Sequence, residues 1–263
     1  MRLELKKAVR TAQTYFPALR ELKFEAERAL RRAQRRPFDE DFYLLAAMYD
    51  DPEGVWLDIG ANRGQSIDAI RLFQPSAKIV AFEPSSLMVS VLRRRFAEDL
   101  DVRVEGFGLG AEDGEFELHT PSYRGWVFDG LASFDLENAS GWLKSRVIGF
   151  DPAKLTICRE SCVVRRLDGF ALKANFIKID VQGLEEQVLV GGAETLARDR
   201  PPVLLEYNGK RAAPRVLLDL GYAPYRYEAG RLTKGLAGEK NTFFFCGGEL
   251  ERIDRSKVDI VGA

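Results

Sequence analysis

Four carboxylates and one lysine stand at or near the ends of short apolar runs. Asp58 interrupts Val55-Trp56-Leu57-Asp58-Ile59 just before Gly60-Ala61-Asn62-Arg63-Gly64, and Glu83 closes Ile79-Val80-Ala81-Phe82 before Pro84. Lys178 and Asp180 fall in Phe176-Ile177-Lys178-Ile179-Asp180-Val181 ahead of Gln182-Gly183, and Glu206 follows Val203-Leu204-Leu205. Glycine at a strand end lets the chain turn sharply and lets a ligand approach the main chain without meeting a Cβ. A dinucleotide site uses the same device but reads Gly-x-Gly-x-x-Gly, with a pyrophosphate at the helix N-terminus. Here the glycines are four apart and a carboxylate precedes them.

That difference points to a ligand with cationic groups and no phosphate. S-adenosylmethionine, which carries an ammonium and a sulfonium, fits: Asp58 would complement its amino-acid end directly or through water. Glu83, 25 residues further on, would accept hydrogen bonds from both ribose hydroxyls. A period of two puts Lys178, Asp180 and Gln182 on one side of their strand. A charge inside an apolar run is costly unless paired, so Lys178 meets either a structural carboxylate or a ligand. Glu206 lies beside Asp180 if the two strands are neighbours.

The elements that must hold these groups follow from the pattern. Val55–Ile59, Lys78–Phe82, Val102–Phe107, Phe176–Val181 and Val203–Tyr207 read as strands. Ser66–Phe73, a segment capped by Ser85, Leu184–Arg198 and Ala213–Leu220 read as helices. Such alternation implies βαβ units, a mainly parallel sheet and ligands at the carboxyl ends of the strands. Residues 115–166 break the alternation, with strands at Phe116–Leu118 and Cys162–Arg166 around an aromatic-rich loop. Tyr222–Tyr227 and Thr242–Cys246 read as an antiparallel hairpin at the sheet edge.

Residues 1–50 differ in texture. Lys and Arg outnumber Glu up to Arg36, with a loose apolar stripe through Leu3, Val9, Phe16, Leu19 and Leu22 and a helix break at Pro17. A short helix over Glu40–Tyr49 follows. The arm reads either as a packing element or as an interfacial helix near anionic lipid. The expected organisation is an arm over 1–50, a catalytic domain over 51–246 with the 115–166 insertion near an acceptor site, and a tail over 247–263.

A formal net charge of −1 gives no whole-protein pull toward nucleic acid. No apolar run reaches the length of a membrane span, no signal core opens the sequence, and three cysteines suit a reducing compartment, so a cytoplasmic location is expected.

At this point the sequence resembles the FkbM-type methyltransferases. The matching motifs are Asp58-Ile59-Gly60-Ala61-Asn62-Arg63-Gly64-Gln65-Ser66, Ala81-Phe82-Glu83-Pro84 and Leu167-Asp168. They continue with Ile177-Lys178-Ile179-Asp180-Val181-Gln182-Gly183-Leu184-Glu185, Val188-Leu189-Val190-Gly191-Gly192-Ala193, Leu205-Glu206 and Gly221-Tyr222. Gln182 departs from the Glu that the family often carries there. The resemblance implies a class I, Rossmann-like, doubly wound α/β domain with a mainly parallel seven-stranded sheet. It implies S-adenosylmethionine-dependent methyl transfer, usually to a hydroxyl oxygen of a sugar, glycolipid or glycosylated natural product. Asp58, Gly60, Asn62, Gly64 and Ser66 would then lie around the methionine part of the cofactor and Glu83 at the ribose. Phe107, Gly108, Leu109 and Gly110 would lie near the adenine, with the acceptor over the end of the fourth strand.

Methyl transfer is an in-line displacement, so much of the catalysis is positioning. Asp180, also beside the cofactor, is the first choice as base or orienting group, Glu206 the second, and Lys178 an electrostatic partner. Asp180, Glu206 and Asn208 could alternatively hold magnesium, although no metal site is assigned. His119 could serve as a base but reads first as a surface or packing residue, and with it Cys158, Cys162 and Cys246 match no usual zinc spacing, so the cysteines read as free thiols. Tyr123, Trp126 and Phe128 either line an acceptor pocket or pack a core. Two rivals stand beside this reading: a nicotinamide-dependent oxidoreductase and a non-catalytic methyltransferase-like scaffold.

Overall fold

In a computed structural model of the chain, residues 2–206, 212–236 and 241–261 are described. Helices α1 (Arg2–Gln13) and α2 (Arg20–Ala33) flank a 3-10 turn at Pro17–Leu19, where proline interrupts the helical hydrogen-bond ladder. Then follow β1 (Val55–Ile59), α3 (Gln65–Phe73), β2 (Ile79–Phe82), α4 (Ser86–Arg95), β3 (Val102–Glu105) and β4 (Gly108–Leu109). The middle of the chain holds β5 (Gly114–Tyr123), β6 (Trp126–Val127), α5 (Leu136–Gly141) and β7 (Leu155–Arg165). Alternation resumes with β8 (Ala174–Ile179), α6 (Glu185–Gly191), α7 (Ala193–Asp199), β9 (Val203–Leu205) and α8 (Ala212–Asp219). The chain closes with β10 (Ala223–Glu228), β11 (Arg231–Lys234), β12 (Thr242–Phe245) and β13 (Asp259–Val261).

These elements form two compact units, residues 1–35 with 116–162 and residues 36–115 with 163–263. The expected arm and insertion therefore belong together, while residues 36–50 belong with the sheet. Phe42, Leu44, Leu45 and Ala47, on a 3-10 segment at Glu40–Ala47 rather than the expected α-helix, are buried in the core of the larger unit.

The larger unit is built on a sheet of order β13-β11-β10-β12-β9-β8-β1-β2-β3. Strands β9, β8, β1, β2 and β3 are parallel neighbours, whereas β12 and β10 join antiparallel. The sheet is thus mixed and nine-stranded, with five of its eight pairings parallel, where seven strands were expected. The two additions are β11, antiparallel to β10, and β13, parallel to β11; the stretch expected to be a tail supplies the latter. Leu232 is the one fully buried residue of β11, so its short, polar-flanked sequence gives little strand signal. The expected helix over Leu184–Arg198 is two helices, parted at Gly191-Gly192, where two glycines weaken helix continuity.

Side chains alternate between two cores, one on each sheet face. Trp56, Ile79, Ala81, Phe176 and Leu204 pack with Ile67, Ile70 and Leu92 of α3 and α4 on one side. Leu57, Ile59, Val80, Ile177, Ile179, Val203 and Leu205 pack with Val188, Leu189 and Leu217 of α6 and α8 on the other. On the first face Asp58 pairs in register with Lys178 and with Ala81, one step beyond the Trp56–Phe176 ring contact at 4.8 Å. The alternation that builds the cores therefore aims Asp58 and Lys178 at the same layer.

The smaller unit has its own core of Tyr123, Leu143 and Val147, with Phe128, Leu131, Trp142, Phe150 and Leu155 packed around it. Tyr123 is fully buried, stacks on Phe150 at 5.2 Å and accepts the Asp151 N–H, and Trp126 is buried too. Of the two readings of these aromatics, core packing is what the unit displays.

Candidate active site

The turn after β1 is fixed by its own backbone. The N–H groups of Gly60 and Ala61 both donate to the Phe82 carbonyl, at 3.0 and 3.1 Å, which locks the end of β1 to the end of β2. Gly60 has φ +79, and a Cβ there would run into the backbone carbonyl of Asp180. Gly64 has φ +82 at the start of α3, and a Cβ there would strike the Phe96 ring. Both glycines are thus required by contacts within the fold, before any ligand is considered. Asn62, at φ +46, donates its N–H to Glu83 Oε2 at 2.8 Å, and Ser85 N–H donates to Glu83 Oε1 at 3.0 Å. Glu83 therefore ties the turns after β1 and β2 together. Burial pushes its carboxyl up to about 7, against the opposing pull of the two backbone donors and Lys178; Asp58 adds a smaller upward push.

Lys178 is the hub of the arrangement. Its Nζ donates to the Gly60 carbonyl at 3.0 Å and lies 3.3 Å from Asp58 Oδ1 and 3.7 Å from Asp180 Oδ2. Burial alone would lower its pKa, but Asp58, Asp180 and Glu206 outweigh that and hold it above the ordinary value. Asp58 is fully buried; desolvation raises its pKa while Lys178 draws it down. Neither Asp58 oxygen accepts a well-aligned hydrogen bond, so the ion pair supplies its compensation. Asp58, expected to complement a ligand directly or through water, has no exposed surface and lies 3.3 Å from the Lys178 ammonium. The reason is its in-register position against Lys178 on the neighbouring strand, one residue before the end of β1.

Asp180 is the partly open member of the group, its side chain 27% exposed. Gln182, at φ +54, donates Nε2–H to Asp180 Oδ1 at 2.9 Å, so the side chain that replaces the frequent Glu orients Asp180. Strands β8 and β9 are neighbours, and Glu206 N–H donates to the Ile179 carbonyl at 3.0 Å. Partial desolvation, then the adjacent Asp180 carboxylate, raise the Glu206 carboxyl to about 8 although the residue is solvent-exposed. Asp58, Glu83, Lys178, Asp180 and Glu206, scattered along the sequence, thus lie together at the strand ends.

Other expected residues stand differently. Ser66 is buried in the first turn of α3. Phe107 is buried and stacked on Phe170 at 5.5 Å with the Arg165 guanidinium 5.0 Å from its ring centre, while Gly108 and Leu109 pair with Val164 and Arg165 of β7. Asn208 lies outside the described residues. His119 lies in the smaller unit, buried, with Nε2 2.9 Å from Glu117 Oε1. Cys158, Cys162 and Cys246 form no disulfide with one another, and the Cys162 thiol donates to the Glu160 carbonyl at 3.7 Å. Among the described residues, no cluster of three or more His, Cys, Asp or Glu side chains is arranged to hold a metal ion.

Two carboxylates without an assigned role also bear on the site. Glu185 is buried and accepts the Gly183 N–H at 2.9 Å, closing the turn after Asp180; its spacing two residues past the glycine was a readable signal. Asp39 adds negative potential at Glu206, from a segment so distant in sequence that no local pattern could have found it. The sum is a strand-end cluster in which Asp58, Glu83, Asp180 and Glu206 surround one lysine. As Glu83 ionises above about pH 7, negative groups outnumber the one lysine, which suits a cationic ligand better than a phosphate.

Comparison with known proteins agrees in kind. The chain is 28% identical over 200 residues to the AMB antimetabolite synthetase AmbE of Pseudomonas aeruginosa, covering 66% of this chain and 9% of that protein. It is 25% identical over 162 residues to the 2-O-methyltransferase NoeI of Sinorhizobium fredii, covering 59% of this chain and 64% of that one. The chain thus spans less than two thirds of either relative. Among solved structures, the methyltransferase FkbM from Methylobacillus flagellatus KT superposes with a TM-score of 0.48 at 15% identity, over 76% of this chain and 47% of that one. The family model for the methyltransferase FkbM domain matches residues 58–222, more than half of the chain and every carboxylate of the cluster. The chain belongs to the FkbM methyltransferase family.

Proposed function

We propose that the larger unit binds S-adenosylmethionine and transfers its methyl group to a hydroxyl oxygen of a sugar, glycolipid or glycosylated natural product. The observation that carries this reading is the acid surplus around Lys178 and Glu83, which complements a cation. Each oxygen of Glu83 accepts one backbone N–H, which leaves each with capacity for one ribose hydroxyl. Asn62, Ser66 and the Gly60–Gly64 turn would hold the methionine part. The relative NoeI is a 2-O-methyltransferase, which supports oxygen as the acceptor atom.

When bound, adenosylmethionine supplies an electrophilic methyl carbon on a sulfonium. The chain's part is to place the acceptor hydroxyl and to hold its proton. Asp180, partly exposed and oriented by Lys178 and Gln182, is the acceptor for that proton. Glu206 carries its own proton below about pH 8 and shares it with Asp180, so at neutral pH it orients rather than abstracts.

Calorimetry with S-adenosylmethionine and with NAD, followed by labelled-methyl transfer into a glycan panel, tests the reading. Asp180→Asn should keep cofactor affinity and lose about 10²-fold or more in turnover. Binding of NAD without adenosylmethionine would overturn the cofactor assignment, and near-normal turnover by Asp180→Asn would remove the base.

A further inference from the structure

The first two helices expose the faces that a packed amphipathic helix would bury. On α1 the side chains that meet the rest of the smaller unit are polar. Arg10 donates to the Arg146 carbonyl at 3.2 Å and lies 4.5 Å from the centre of the Trp142 ring. Thr11 Oγ1 accepts the Ile148 N–H at 2.9 Å, and Thr14 is buried. Leu5, Ala8, Val9 and Ala12, spaced as one helical face, are all exposed. The pattern continues past the break. Tyr15, Phe16 and Leu19 are exposed, and so are Leu22, Ala26, Ala29, Leu30 and Ala33 along one face of α2. Arg20 is the buried residue of that helix, donating to the Val127 carbonyl at 3.2 Å. Leu5 and Leu22 are each 65% exposed and Phe16 60%. Large apolar side chains kept in water at helical spacing mark an interaction surface.

Charge decides what covers it. Residues 1–36 hold eleven Lys and Arg against four Glu and no Asp, while the rest of the chain holds 28 basic against 36 acidic residues. Arm-to-arm pairing with a second copy would bring two strongly basic surfaces together. An anionic bilayer complements the arm, takes up the apolar stripes, and lets the long Lys and Arg side chains reach headgroups. No described helix is long and apolar enough to cross a membrane, so the contact is interfacial. We infer that α1, the Pro17–Leu19 turn and α2 dock the smaller unit on an anionic lipid surface, apolar stripes inward.

Co-sedimentation of the full chain with vesicles of phosphatidylcholine alone, or with about 30 mol% phosphatidylglycerol, tests this. The anionic vesicles should bind at least about tenfold more tightly, and raising salt from about 0.1 to about 0.5 M should weaken binding by about tenfold. Val9→Glu with Leu22→Glu should lose about tenfold or more with an unchanged melting temperature, since both side chains are exposed. Lys6→Gln with Arg32→Gln should weaken binding to the anionic vesicles alone. Equal affinity for both vesicles, or no binding to either, would overturn the inference. So would a dimer in light scattering that Leu22→Glu converts to monomer, because the face would then belong to a second copy.

Discussion

Glu83 should make the protein less stable as pH rises, and glutamine in its place should remove that trend. The carboxyl is buried, and its pKa moves from an ordinary 4.5 to about 7, so the folded state binds a proton more tightly than the unfolded chain. The stability it contributes is therefore complete below about pH 4.5 and is lost as pH climbs through about 7. The full loss corresponds to about 3 kcal/mol, at about 1.4 kcal/mol for each tenfold change in proton affinity. Glu83→Gln has nearly the same shape and cannot ionise. Its single carbonyl can take the N–H of Asn62 or of Ser85 but not both, a pH-independent cost of about 1–3 kcal/mol. The variant should thus be less stable than the parent near pH 5 and as stable or more so near pH 8. Lys178 and Asp58 also act on Glu83, but both proteins share them.

Urea unfolding of both proteins from about pH 5 to about pH 8.5, extrapolated linearly, measures the difference directly. A difference constant to within about 0.5 kcal/mol across that window would mean that Glu83 titrates normally, and the burial argument would fail. The same variant should lose about 10- to 100-fold in adenosylmethionine affinity, because ribose hydroxyls need the carboxylate. Parent affinity should fall as pH drops below about 7, with proton release seen in buffers of different ionisation enthalpy, and the variant should show neither.

Lys178→Met should destabilise by about 3–5 kcal/mol in chemical denaturation, since it strands the fully enclosed Asp58 carboxylate, and adding Asp58→Asn should restore part of the loss. Gly60→Ala should yield little folded protein, because its Cβ meets the Asp180 carbonyl at a positive φ; near-normal melting would refute the turn geometry. The pH–rate profile should bend near about pH 8, and Glu206→Gln should abolish that bend if the carboxyl shares a proton with Asp180.

Much of this was legible in the sequence where the physics is local. Strands β1, β2 and β8 are apolar runs whose single interruptions, Asp58 and Lys178, turned out to neutralise each other. The need of Lys178 for a carboxylate was readable, but not which one, because Asp58 is 120 residues away and adjacency depends on β1 lying next to β8. Strand β7 was read at Cys162–Arg166 but starts at Leu155, since most of its first residues are exposed or half-buried and give no alternation. The grouping of arm with insertion rests on contacts such as Arg10–Arg146 and Thr11–Ile148, whose sequence separation leaves no local trace. The basic, apolar-striped texture of the arm was visible; that it packs by its polar side was not.

The site also shows how one cation can serve two purposes. Replacing a buried ion pair by apolar side chains is often neutral or stabilising, so Asp58 and Lys178 are not explained by stability. They are explained by direction. Held by Asp58 from below and by the Gly60 carbonyl from the turn, the Lys178 ammonium lies 3.7 Å from Asp180, the carboxylate that remains partly open. Glu206 is pushed up to about 8 by partial desolvation and by the Asp180 carboxylate, against the pull of the same lysine. Two neighbouring carboxyl groups on adjacent strands thereby stand in different surroundings, one within 3.7 Å of the lysine and one raised by desolvation, because a fully buried third carboxylate fixes the position of the lysine.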